Sequence, residues 1–213
     1  MKELNQITPY HLDVLKEIGN IGAGHAATAL SELLNKTIDM RVPDVALMSF
    51  NDLLEKVGGP DEVLASVFLR VEGDAPGSMF FMLSLDQATS FIKKMIGDES
   101  FSFQEPPYPE MAISALQELG NILAGSYLTS LAEFTKLSFH PSVPALGIDM
   151  AGALISLGLI ELGRAGDNAI LIDTTFFEHD LPNDNCIQGH FFLLPDPESF
   201  QIIFEALGVR ENE

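Results

Sequence analysis

The sequence predicts an α/β protein made of two similar halves, whose strands form one sheet or two adjoining sheets with pseudo-two-fold symmetry, covered by two long equivalent helices. Two repeated patterns support this prediction. A polar set recurs 101 positions later (118 minus 17, 121 minus 20, 125 minus 24), as the pairs Glu17 and Glu118, Asn20 and Asn121, Gly24 and Gly125. The same offset relates the dipeptides Val42-Pro43 and Val143-Pro144. We therefore expect an internal duplication.

The first long helix is predicted from about Pro9 to Leu34. Thr8-Pro9 offers an N-cap residue followed by a first-turn proline, and such a pair marks the start of a helix. Apolar residues then recur at helical spacing, at Leu12, Leu15, Ile18, Leu30 and Leu33. This spacing predicts an amphipathic helix.

The second long helix is predicted over Glu110 to Phe134, where the same apolar positions recur at Ile113, Leu116, Leu119, Leu131 and Phe134. The Pro-rich segment from Glu105 to Pro109 precedes it and is typical of a linker. We expect one domain over residues 1–213, made of halves at about 1–104 and 110–213.

Each half continues with strand-like segments and closes with a helix. The segments rich in β-branched and aromatic residues are Val63 to Val71, Met79 to Leu83, Ala169 to Phe177 and Gly189 to Leu194. The closing helices are expected to end near Gly97 and Gly208.

Composition excludes several classes of function. The net charge is −20, from 11 Lys and Arg against 31 Asp and Glu, and this charge opposes binding to phosphate backbones. We therefore expect neither nucleic acid nor an anionic membrane as a partner. Cys186 is the only cysteine, so no intrachain disulfide can form. The apolar run from Met150 to Ile160 is too short to span a membrane. We expect a cytoplasmic protein.

On a helix at 100° per residue, one polar stripe contains Asp13, Glu17, Asn20, Gly24, Thr28 and Ser31. A solvated face is the ordinary explanation of such a stripe. The duplication favours a functional site, and so does the glycine in mid-helix, which costs about 1 kcal/mol relative to alanine. A bare backbone at Gly24 and Gly125 would let a partner approach closely.

A Glu and an Asn can act together on a phosphorylated partner. The Asn amide both donates and accepts hydrogen bonds, so it can orient a water molecule for in-line attack, as a glutamine does in GTPases. The Glu, three residues away, could pair with a lysine of the partner. The pattern therefore favours a protein that completes a partner's active site over one that binds a small substrate.

Both copies resemble the helix motif of the CheC, CheX and FliY family of phosphatases, which act on the phosphoaspartate of the response regulator CheY. The family pattern is Asp or Ser, three residues, Glu, two residues, Asn, three residues, Gly. It matches Asp13-Glu17-Asn20-Gly24 and Ser114-Glu118-Asn121-Gly125. The resemblance covers nearly the whole chain, and the two motif copies and the full-chain layout are most similar to the CheC members.

The resemblance implies roles for these residues. Asn20 and Asn121 would position the attacking water, and Glu17 and Glu118 would meet a lysine of CheY. Asp13, Gly24, Ser114 and Gly125 would contribute to docking. The Mg²⁺ in such complexes belongs to CheY, so we expect no cofactor or metal site in this chain. The two residues after the glycine differ between the copies, His25-Ala26 in the first and Ser126-Tyr127 in the second, so the two sites need not be equally active.

The segment from Pro144 to Leu157 is a second candidate surface. Asp149 lies among small and apolar residues, where a buried unpaired carboxylate would be costly, so we expect it to be exposed beside an apolar patch. In CheC-like proteins a short helix of the second half docks the receptor deamidase CheD, which links the phosphatase indirectly to chemoreceptors. This segment is similar in placement, and a plain loop before a short helix explains it equally well.

The sequence thus favours a chemotaxis phosphatase, a hydrolase that stimulates hydrolysis of phosphorylated CheY and is regulated by CheD. Two alternatives stay open: a non-catalytic adaptor that binds phosphorylated CheY or CheD, and a structural module of the flagellar switch. We expect a monomer, because the duplicated halves supply the symmetry that a one-motif relative would reach by dimerising. The five histidines show no ligand spacing and are expected to be structural or on the surface.

Overall fold

The first helix of the described residues begins at Pro9, directly after the extended residue Thr8. The computed structural model describes residues 7–162, 168–178 and 187–208. Within these ranges six helices occur, and the first and fourth are the predicted long pair, 26 residues each. The helices are α1 Pro9–Leu34, α2 Phe50–Lys56, α3 Leu85–Ile96, α4 Glu110–Thr135, α5 Ala151–Leu162 and α6 Pro197–Ala206.

The strands of the described ranges form one eight-stranded sheet, and all of its pairings are antiparallel. The strands are β1 Ile38–Arg41, β2 Val45–Ser49, β3 Val63–Gly73, β4 Gly77–Ser84, β5 Phe139–Pro141, β6 Ala145–Met150, β7 Asn168–Glu178 and β8 Ile187–Pro195. The predicted α/β class with one sheet under two equivalent helices is confirmed.

The sheet interleaves the two predicted halves. Its order is β1-β7-β8-β4-β3-β5, with β2 next to β7 and β6 next to β3. The short strands of each half therefore pair with the long strand of the other half. The centre of the sheet is the β4–β8 pair, in which Phe80 lies opposite Phe192 and Phe81 opposite Phe191.

Helices cover both faces of the sheet, so the central strands are buried on both sides. Phe81 of β4 faces the larger core, which also contains buried residues of α1, α3, α4 and α6. Phe80 and Met82 face a second core formed with α2 and α5. This two-sided burial explains why Met79 to Leu83 is apolar without alternation. The sequence predicted the two long helices on one face of the sheet, and it did not predict α2 and α5 on the other.

α1 and α4 pack closely against each other where side chains are small. A Cβ atom added at Gly22 would lie 3.1 Å from the Cα atom of Tyr127, so any larger residue would force the two helices slightly apart. Tyr127 is buried, and its hydroxyl lies 3.0 Å from Thr174 Oγ1 of β7. The two long helices are thereby fixed to each other and to the sheet.

The N-terminus of α1 is held by His11. The backbone N–H of Thr8 donates to His11 Nδ1 over 2.9 Å, and the imidazole ring centroid lies 4.4 Å from that of Phe204 in α6. Burial lowers the pKa of His11 below its ordinary value. The neutral ring therefore both caps α1 and joins it to α6.

Two expectations about these helices are corrected. Leu33 and Phe134 were expected on the core stripe, but they are 49% and 48% exposed. Both lie in the last turn of their helices, on the side that faces solvent. No helix within those ranges is long and apolar enough to cross a membrane.

Candidate functional site

The polar stripe of α1 faces solvent at most of its positions. Asp13, Glu17, Gly24 and Thr28 are exposed. Asn20 lies between Glu17 and Gly24 on this stripe but is only partly exposed. The stripe is therefore an accessible surface whose central amide is partly covered.

The equivalent stripe of α4 is more open at its centre. Ser114, Glu118 and Asn121 are exposed, and Gly125 is partly exposed. The side chain of Asn121 makes no hydrogen bond to any residue of the described part of the chain. Glu118 and Asn121 lie three residues apart, so they project together from one face of the helix.

Gly24 and Gly125 leave gaps in both stripes. A Cβ atom added at either position would meet no atom of another described residue within 4 Å. Packing within the protein therefore does not require these glycines, although a mid-helix glycine costs about 1 kcal/mol relative to alanine. An approaching partner could reach the helix backbone at both places.

The amide of Asn20 is bonded within the protein, although it lies on the polar stripe. Its Oδ1 atom accepts the N–H of Val42 over 3.0 Å. Its Nδ2 atom donates to the Val42 carbonyl over 3.3 Å and to the Lys16 carbonyl over 3.0 Å. Val42 lies in the turn between β1 and β2, so the amide connects α1 to that turn.

A different side chain holds the corresponding turn of the second half. Gln117 Nε2 donates to the Pro144 carbonyl over 3.1 Å. Sequence reasoning missed Gln117, because nothing in the repeated motif marks the position before Glu118. The signal available was the difference at the equivalent positions, Lys16 in the first helix and Gln117 in the second.

Asp149 lies on the surface, as its sequence surroundings predicted. It is the penultimate residue of β6 and lies opposite Leu64 of β3, and its carboxylate accepts the N–H of Met150 over 2.8 Å. Met150 and its strand partner Val63 are 45% and 40% exposed, but they alternate with Asp149 and Leu64 along their strands and so project from the other face of the sheet. Leu64 belongs to the core of α2 and α5, so Asp149 lies on the sheet face away from both long helices.

A charged cluster lies on that same far face. Asp173 Oδ2 is 2.8 Å from Lys56 Nζ, and its Oδ1 is 2.7 Å from His190 Nδ1. Burial acts to raise the pKa of Asp173, but the bonds to His190 and Lys56 outweigh burial and hold the pKa below its usual range. These contacts tie α2 to β7 and β8. Among the described residues, no three His, Cys, Asp or Glu side chains converge as metal ligands would.

The fold and the site define the class of protein. It is an α/β protein in which a long helix with a Glu/Asn pair occurs twice over one interleaved antiparallel sheet. Among solved structures, FliY from Thermotoga maritima has this fold, with a TM-score of 0.76 and 20% identity over 95% of this chain and 98% of that one. The FliM middle domain from H. pylori is also similar, with a TM-score of 0.67 and 9% identity over 94% and 99% of the two chains.

Sequence comparison gives the family. The model of the CheC-like family matches residues 11–47 and 111–148, which contain both Glu/Asn pairs and both Val-Pro turns. The CheY-P phosphatase CheC of Bacillus subtilis (strain 168) is 49% identical over 208 residues, which cover 98% of this chain and 99% of that protein. The chain belongs to the CheC family.

Proposed function

We propose that this protein is a phosphatase that accelerates hydrolysis of the phosphoaspartate of CheY in chemotaxis. The observation that carries the proposal is the exposed Asn121, whose amide has no hydrogen-bond partner among the described residues and which lies on one face of α4 with Glu118. The full-length similarity to the CheY-P phosphatase of Bacillus subtilis supports the choice of substrate.

In this proposal the chain supplies two groups to the active site of CheY, an amide that orients water and a carboxylate that fixes docking. An amide on an exposed helix can accept a hydrogen bond from a water molecule and donate one to a phosphoryl oxygen, so it can fix the water in line with the phosphorus atom. Glu118, one turn away, can pair with a lysine of the partner and set the depth at which α4 docks. The Mg²⁺ that offsets phosphoryl charge belongs to CheY in this proposal. The net charge of −20 suits a basic docking group on the partner.

The test is phosphate release from CheY labelled with acetyl phosphate, with and without this protein. We expect the wild-type protein to accelerate release. The double variant Asn20→Ala, Asn121→Ala should reduce the stimulation by at least about two orders of magnitude, because both water-orienting groups are lost. Circular dichroism controls for folding. A folded double variant with the wild-type rate would refute the assignment, and binding without acceleration by the wild type would indicate an adaptor.

We further propose that CheD binds at Asp149 and regulates the activity. The carboxylate is exposed one residue before the exposed Met150, and a charged group suits the polar rim of a docking surface. The far-face position of Asp149 would let CheD bind without covering α1 or α4. We also propose that the protein acts in the cytoplasm as a monomer.

The variant Asp149→Lys tests the CheD surface. Charge reversal should abolish CheD binding in a titration, because like-charge contact can cost several kcal/mol. Basal phosphate release should be unchanged, since both long helices are untouched. Glu99→Lys, a matched reversal at an exposed position after α3, should bind CheD normally. Equal CheD affinity of the wild type and Asp149→Lys would eliminate this surface.

A further inference from the structure

The two Val-Pro turns are held by different side chains, although they occupy equivalent positions. In the first half, Asn20 brackets Val42 through both ends of its amide. Val42 is only 1% exposed, and its methyl groups lie 3.5 Å from where a Cβ atom of Gly19 would be. The turn is folded onto α1, and Asn20 is part of the contact.

In the second half the equivalent valine faces outward. Val143 is 87% exposed. The turn is held one residue further on, where Gln117 donates to the Pro144 carbonyl. Gln117 supplies this hydrogen bond, and the side chain of Asn121 makes none to the described residues of the turn.

Positions 16 and 117 differ in what their side chains contact. The Gln117 amide can hold a backbone carbonyl from one helical turn before Asn121. Lys16 also carries a donor, but its side chain makes no hydrogen bond to any residue of the described ranges. The first turn is therefore left to the amide of Asn20.

We infer that Asn121 is the residue ready to orient water, whereas Asn20 is held back by its bonds to Val42, and that Gln117 is the positioning residue that keeps Asn121 free. The inference rests on the proposed function and specifies which of the two sites works. Both N–H groups of the Asn20 amide already donate, so Asn20 must break one of these bonds before it can donate to a phosphoryl oxygen. Asn121 makes no such bonds to the described residues, so it has none to break before it acts.

Single variants give the first test, with phosphate release from labelled CheY as the readout. Asn121→Ala should lower the stimulated rate about tenfold, and Asn20→Ala should change it by less than about twofold. An equal loss in both variants, or a larger loss in Asn20→Ala, would overturn the inference. If the double variant keeps the wild-type rate, neither Asn acts and the inference is wrong; if the wild-type protein does not accelerate release, the proposed function itself is wrong.

Transfer of the anchor gives the second test. In the Asn121→Ala background, Lys16→Gln should supply an alternative amide for the first turn, free Asn20, and raise the residual rate about threefold or more. Lys16→Met is the matched control, because it removes the charge without adding an amide, and it should leave the residual rate unchanged. The same rate in the Gln and Met variants would contradict the role assigned to position 117.

Hydrogen exchange of the Val42 amide tests the anchor independently of any activity. We expect this amide to exchange at least about tenfold faster in Asn20→Ala than in the wild type, because its acceptor is lost. Asn121→Ala should leave the exchange of Val42 unchanged. Protection that persists in Asn20→Ala would show that Asn20 does not hold the turn, whatever the phosphatase assays give.

Discussion

Glu17 and Glu118 are exposed carboxylates at equivalent positions, and neither forms an ion pair with a residue of the described ranges. A lone surface carboxylate adds little to stability. Replacement of these two residues should therefore change partner binding without changing the fold.

The double variant Glu17→Gln, Glu118→Gln should weaken binding of phosphorylated CheY by about tenfold at low salt, because it removes the charge that would pair with a lysine. The measurement is a binding titration at two ionic strengths. The wild type should lose more affinity on addition of salt than the variant does. Glu133→Gln, an exposed change elsewhere on α4, is the control. Unchanged affinity with reduced turnover would give the carboxylates a chemical role instead.

The sequence predicted which residues face outward better than it predicted their bonds. The helical repeat places Glu118 and Asn121 on one side of α4, and both are exposed. The hydrogen bonds of Asn20 could not be predicted, because Val42 lies 22 positions away. Its approach depends on how the β1–β2 turn meets the helix, which the sequence pattern does not encode.

At the scale of elements, the long helices and long strands were predictable and the short ones were not. α1 begins and ends where its cap and apolar spacing indicated, at Pro9 and Leu34. β1 and β5 have four and three residues, too few for a pattern of alternation to appear. Their strand conformation follows from pairing with β7 and β3, a tertiary effect.

The N-terminus of α1 should make stability depend on pH. The folded-state pKa of His11 is lowered, so the unfolded chain takes up the proton first as pH falls. The stabilisation is complete above the unfolded pKa of about 6.5 and is lost as pH falls from there through the folded pKa. Protonation also removes the acceptor for the Thr8 N–H.

His11→Gln is the matched variant, because glutamine can cap a helix from the same position without titrating in this range. The melting temperature of the wild type should fall more than that of the variant between about pH 7.5 and 5.5. Parallel pH profiles would show that His11 does not contribute this dependence. Because both proteins have the same carboxylates, the contribution of those groups to the pH dependence of the melting temperature is the same in each and drops out of the difference.

At the scale of the whole molecule, the interleaved sheet makes each half depend on the other. β3 of the first half pairs with β5 and β6 of the second, and β7 of the second pairs with β1 and β2 of the first. Within a single half, the described residues form one strand pairing, β3–β4 in the first half and β7–β8 in the second. A lone hairpin is marginal in water.

Fragments of residues 1–104 and 110–213 should therefore be unfolded separately and should recover structure when mixed. Far-ultraviolet circular dichroism and the dispersion of amide proton shifts measure both states. The intact chain is the control. A cooperative thermal transition in either fragment alone would show that a half is an independent folding unit.

Residues 97–109 connect the two halves, so the strand exchange takes place within one molecule. Two separate copies of a half would have to associate to build the same sheet, and their folded fraction would fall on dilution by mass action. A covalent connection instead presents each half to the other at an effective concentration on the order of millimolar. The joining of the halves, and with it the support of each Glu/Asn pair, is therefore insensitive to how many copies of the protein a cell contains.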